Sequence, residues 1–71
     1  METFVMTMRW PTPDQRPVGE PANLMLEATR EDLAAREASA VWEAKRSLLR
    51  PPVGFTVTST TTGRVIAELA T

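Results

Sequence analysis

The sequence predicts an α+β fold: a four-stranded, antiparallel-rich sheet with one helix packed on one face. Three observations carry this. An N-terminal stretch alternates apolar and polar residues, a central stretch has the start and stop of one helix, and a C-terminal stretch reads as a hairpin. The elements then run ββαββ in a single small domain over residues 1–71. If residues 22–28 join the helix instead, the order becomes βαββ.

Glu2–Trp10 supplies the first strand. Phe4, Met6, Met8 and Trp10 fall on one face and Thr3, Val5, Thr7 and Arg9 on the other, as in a strand with one buried face. Pro11–Pro21 holds four prolines and Gly19, which leaves few backbone donors and reads as a stiff surface connection. It lacks the Pro-x-x-Pro spacing of a proline-rich ligand. Ala22–Ala28 is read as the second strand, with Leu24, Leu26 and Ala28 inward and Asn23, Met25 and Glu27 outward. As a helix it would extend the next element back to Pro21, which could stand at a first helical position.

Thr29–Leu49 is read as the helix. Thr29 has the side chain of an N-cap, and Asp32 three residues on makes a weaker capping box. Glu31 and Asp32 lie at the positive end of the dipole and Lys45, Arg46 and Arg50 at the negative end, before Pro51 and Pro52 forbid continuation. At about 100° per residue, Leu33, Ala40, Val41, Ala44 and Leu48 form one apolar stripe. Ala35, Ala38, Trp42 and Leu49 form a second, with Ala34 and Lys45 between them. The first stripe is expected to face the sheet. The second is then left for another partner, and these four residues are the candidate interface, with Trp42 as its anchor. A fold of loop 11–21 over Trp42 within one chain is the competing account.

In Gly54–Ala70, a three-residue loop Thr61–Thr62–Gly63 pairs Ser59 with Val65, Val57 with Ala67 and Phe55 with Leu69. The other face pairs Thr60 with Arg64, Thr58 with Ile66 and Thr56 with Glu68, and Gly63 takes the left-handed position. The resulting order of elements resembles the small β-grasp arrangement of the immunoglobulin-binding bacterial domains, in which the first and last strands are neighbours in the middle. The resemblance covers element order alone, and no motif carries a binding function across.

The chemistry is bounded by what is missing. With no cysteine and no histidine, the chain has no thiolate, no imidazole base and no soft metal ligand. Eight basic residues against 9 acidic ones give a net charge of −1, which points to neither nucleic acid nor a mimic of it. No apolar run reaches the ~18 residues of a membrane span, and Met1–Phe4 lacks the pattern of a signal peptide, so a cytoplasmic protein is expected. The three glycines form no phosphate loop, and neither cofactor nor metal is expected. Glu37 alone breaks the first stripe; it either acts as a buried base, reaches solvent from the stripe's margin, or pairs with an Arg from the sheet. Thr56, Thr58, Thr60, Thr61 and Thr62 read as a solvent-facing strand and turn rather than as a binding array.

No catalytic residue is assigned. The expected function is that of a non-catalytic interaction protein, a homo-oligomer that binds another protein, of the compact accessory type encoded by phages or bacterial operons. The alternative is a binder of small anions, nucleotides or phosphate metabolites, with Arg9, Arg16 and Arg64 in a groove between copies.

Overall fold

The N-terminal alternation produces the strand on which the sheet is assembled. A computed structural model describes residues 1–70, with strand β1 (Glu2–Arg9), a short 3₁₀ turn at Pro13–Gln15, strand β2 (Asn23–Ala28), helix α1 (Glu31–Lys45), and strands β3 (Gly54–Ser59) and β4 (Val65–Ala70). The sheet order is β2-β1-β3-β4, antiparallel throughout. The ββαββ order is therefore present, and the βαββ alternative is not. The resemblance to the β-grasp arrangement ends at element order, because β4 lies at an edge and β1 is flanked by β2 and β3. Since β2 and β3 both run antiparallel to β1, they are parallel to each other. Such strands need a crossover connection, and α1 is that connection.

Register puts the apolar residues on one face. Phe4 lies between Leu26 and Ser59, Met6 between Leu24 and Val57, and Met8 beside Phe55, while Val57 and Phe55 meet Ala67 and Leu69 on the far side. The buried core is Phe4, Met6, Met8, Leu26, Ala28, Phe55 and Val57 from the sheet and Ala34, Ala38 and Trp42 from the helix. The indole of Trp42 meets the ring of Phe55 with centroids 5.4 Å apart at a tilt of 47°, a favourable aromatic arrangement.

The helix is turned by roughly a quarter-turn from its expected orientation. Residues Ala34, Ala38 and Trp42, spaced by four, face the sheet. The Leu33–Ala40–Ala44 stripe forms a flank, with Ala40 and Ala44 exposed and Leu33, Val41 and Leu48 half-buried. Side-chain volume explains the difference. The sheet already projects Phe4, Met6 and Phe55, so a close approach needs small residues on the helix, and one Trp fills the remaining space. Lys45, on the same face, reaches the carboxylate of Glu20 at 2.8 and 2.9 Å.

Both helix ends also differ from expectation. Thr29 is not the cap: Arg30 holds the N-cap position in an extended conformation (φ −143°, ψ 158°) and makes no side-chain capping bond. Two residues after β2 are needed to turn the chain back over the sheet, which moves the first helical bond to the Ala34 N–H and the Arg30 carbonyl at 3.1 Å. The helix stops at Lys45 rather than Leu49. The Ser47 hydroxyl donates to the Ala44 carbonyl at 2.8 Å and the Leu48 N–H to Lys45 at 3.2 Å, so the last turn closes on itself before Pro51.

In the last hairpin Val57–Ala67, Thr56–Glu68 and Phe55–Leu69 pair as expected, and Gly63 has φ 74°. Nearer the turn the register moves by one. Thr58 faces Val65, and a bulge at Val57/Thr58 leaves Ile66 unpaired and packed against the core. The cause is Ser59. Its carbonyl accepts the Gly63 N–H at 2.8 Å and its buried hydroxyl accepts the N–H groups of Thr61 and Thr62 at 3.3 Å each, which lengthens the loop by one residue.

Gly63→Val should lower stability by ~1–2 kcal/mol in urea melts, from backbone strain alone, since no atom lies within 4 Å of the added Cβ. Thr29→Ala, at a position that caps nothing, should stay within about 0.5 kcal/mol of wild type.

Candidate functional site

Outside the core, three surfaces have shape or chemistry. The first lies at the end of β1. Met8, Arg9, Trp10, Pro11, Thr12, Pro13, Arg16 and Ala22 line a pocket of about 360 Å³. The proline-rich connection forms one wall. It is fixed by the Glu20–Lys45 ion pair, whose side chains are 17% and 24% exposed, and the Trp10 indole N–H donates to the Arg50 carbonyl at 2.8 Å. Arg9 and Arg16 are thus brought to one pocket, as an anion site would need. Arg64 is not, since it lies by the β3–β4 turn at the other end of the sheet. The Arg9 guanidinium is partly engaged: Arg9 lies opposite Gly54 of β3, and its Nη2 donates to the Leu69 carbonyl at 3.1 Å. Arg16 is exposed.

The second surface is an open groove of about 450 Å³ between the start of α1 and the end of β2, lined by Met1, Ala28, Leu33, Arg36, Glu37 and Ala40 among others. Glu37 is exposed on it. The burial that would make it an unusual base is absent, and it takes the marginal, solvent-reaching position. No group of three or more acidic residues is placed to hold a metal ion among the described residues.

The third is the sheet face away from the helix. Four residues align across all four strands: Met25 on β2 faces Val5 on β1, Val5 faces Thr58 on β3, and Thr58 faces Val65 on β4. Met25 is 65% and Val65 55% exposed. The neighbouring row is Asn23, Thr7, Thr56 and Glu68, and there the Thr7 hydroxyl donates to Asn23 Oδ1 at 2.9 Å. The threonines singled out in the sequence are divided between this face, where Thr56 and Thr58 sit, and the turn. Sequence reasoning missed the apolar row because it needs both the strand order and the bulge that puts Val65, not Ile66, opposite Thr58.

The candidate interface residues do not form a surface stripe. Trp42 is 9% exposed and Ala38 fully buried, both inside the core; Ala35 is half-buried; Leu49 lies beyond the helix and is 97% exposed. The side of α1 left uncovered is the other stripe. No helix is long and apolar enough to cross a membrane among the described residues. No protein-family model, curated protein or solved structure matches the chain.

Trp42→Ala should destabilise the fold by ~3–5 kcal/mol, the range for deleting a large core aromatic. Circular dichroism at two protein concentrations checks its origin: a core residue lowers the melting temperature equally at both.

Proposed function

We propose that this protein is a non-catalytic interaction module that self-associates and binds another protein through the uncovered face of its sheet. The observation that carries the reading is the row Met25–Val5–Thr58–Val65. A sheet needs cover on only one side to build this core, and the solvent face of such a sheet is ordinarily polar. Here an apolar line crosses it, rimmed by threonines, Asn23, Glu27 and Glu68, the layout of a modest docking surface with an apolar centre and a polar border. The lack of histidine and cysteine and the exposure of Glu37 support a role without catalysis. An accessory protein of a phage or bacterial operon fits this size and composition.

A second reading, binding of a nucleotide or phosphate metabolite, is favoured by the meeting of Arg9, Trp10 and Arg16 at one pocket. It is the weaker of the two because Arg9 already serves the Leu69 carbonyl.

The double variant Thr58→Lys/Val65→Lys places charge in the row without touching the core. Proteins that co-purify with wild type should be depleted about tenfold or more with this variant, a loss of ~1.4 kcal/mol or more, while circular dichroism shows it folded with a melting temperature lowered only modestly by the two facing lysines. Identical capture by both proteins would remove the face from consideration. A rise in melting temperature with inorganic phosphate or nucleotides, abolished by Arg16→Ala, would establish the second reading instead.

A further inference from the structure

We propose that the outer edge of β2, together with the apolar flank of α1 above it, is a two-fold interface with a second copy of this chain. The inference deepens the reading above, since it supplies the self-association that reading includes.

The backbone of β2 sets the geometry. The Met8 N–H donates to the Ala22 carbonyl at 2.7 Å, so these residues form a hydrogen-bonded pair. Such pairs alternate along an antiparallel ladder, and Leu24 and Leu26, in register with Met6 and Phe4, therefore also turn their backbone groups toward β1. The other neighbour of β1 is consistent: the Thr60 N–H donates to the Thr3 carbonyl at 3.2 Å, so the intervening residues of β1 serve β3. It follows that Asn23, Met25 and Glu27 direct their N–H and C=O groups out of the sheet at its edge.

That edge lacks the usual protection. It carries no Lys, no Pro and no bulge within Asn23–Ala28, features that ordinarily blunt an exposed strand, and Glu27 is its one charge. The edge at β4 differs, because the bulge at Ile66 interrupts it. The helix side matches. Lys45 is held to Glu20, just before β2, and α1 begins at Glu31 with only Thr29 and Arg30 between it and Ala28, so α1 runs back along β2. The groove that joins Leu33, Glu37 and Ala40 to Glu27 and Ala28 places the apolar flank on the β2 side. Asp32, Ser39, Glu43 and Arg46 occupy the opposite flank by the 100° helical period, while Arg36 lines the groove beside Glu37.

A second β2, antiparallel about a two-fold axis at Met25, satisfies all three outward residues. Met25 pairs with its own copy and Asn23 with Glu27 of the other chain, which gives six new backbone hydrogen bonds for three such pairs. Leu24 meets Leu26 on the helix side. The charges are complementary, since each Glu27 faces an amide and no like charges are opposed. The Thr7 hydroxyl, bound to Asn23 Oδ1, leaves the Asn23 amide nitrogen to donate to that carboxylate. Above the joined strands the two helices bring Leu33 and Val41 of each copy together, with Ala40 and Ala44 allowing approach. Glu37 and Arg36 are the charges of α1 that line this groove, opposite in sign and both exposed. On the open side the two apolar rows meet at Met25 and become one line across eight strands.

Sedimentation equilibrium of the isolated protein, with no partner present, tests this separately from capture of other proteins. Wild type should be a dimer at high micromolar concentration. Met25→Pro removes only an outward N–H and should give a folded monomer by circular dichroism; if Met25→Pro is unfolded, Met25→Lys, which sets like charges opposite each other, decides in its place. Because the chain has no cysteine, Met25→Cys should form a dimer with a short bis-maleimide linker and Val65→Cys should not. A monomeric wild type, a folded dimer in the deciding variant, or linking through Val65→Cys alone would overturn the interface. None of these results bears on the Thr58→Lys/Val65→Lys comparison, whose failure would instead leave the dimer standing.

Discussion

The structure depends on β1 being paired along both sides. Residues turned toward β2 in the backbone, Phe4, Met6 and Met8, are also those whose side chains enter the core; the alternate residues serve β3 and face away from the helix. This one strand fixes the rest. Flanked by two antiparallel neighbours, it makes β2 and β3 parallel to each other, so the chain between them must cross over the sheet. That crossing segment is the helix, and everything apolar beneath it closes on Phe4 and Met6, both fully buried.

Much of this was legible in the residues. Period-two alternation placed both N-terminal strands and their inward faces, and the outer half of the last hairpin followed from its own internal agreement. Other features lay beyond local pattern. Strand order was one: the β-grasp order and the observed order bury the same faces of the same strands, so alternation does not separate them. The helix face was another. A count of apolar residues favours the stripe rich in leucine, whereas packing against Phe4, Met6 and Phe55 favours Ala34 and Ala38 for their size. The capping residue failed for a geometric reason, the length of chain needed to reverse direction after Ala28.

The surface chemistry shows the same division. Arginines at positions 9 and 16 attract attention as anion contacts in any reading of charge, and the proline-rich connection does bring them to one pocket. Yet Arg9 has a structural task that no sequence pattern reveals. It lies opposite Gly54, and the missing side chain there opens a path to the Leu69 carbonyl two strands away. The same alternation that turns Arg9 to the open face of the sheet also turns Val5 and Thr58 there, all three half-buried, and only strand order assembles the last two with Met25 and Val65 into a line.

The pairing of β1 with β3 also has a kinetic side. The two hairpins, β1–β2 and β3–β4, are local in the chain and can form in microseconds. Their junction is not local: Phe4 meets Ser59, and Arg9 meets Gly54, across most of the polypeptide. Loop closure on that scale has to precede the contacts that reward it, which slows the docking of one hairpin on the other relative to the formation of either. Until it happens, α1 has only half a sheet to rest on. β3 follows α1 in the chain, so a growing chain holds the inner edge of β1 unpaired until both the helix and β3 have emerged.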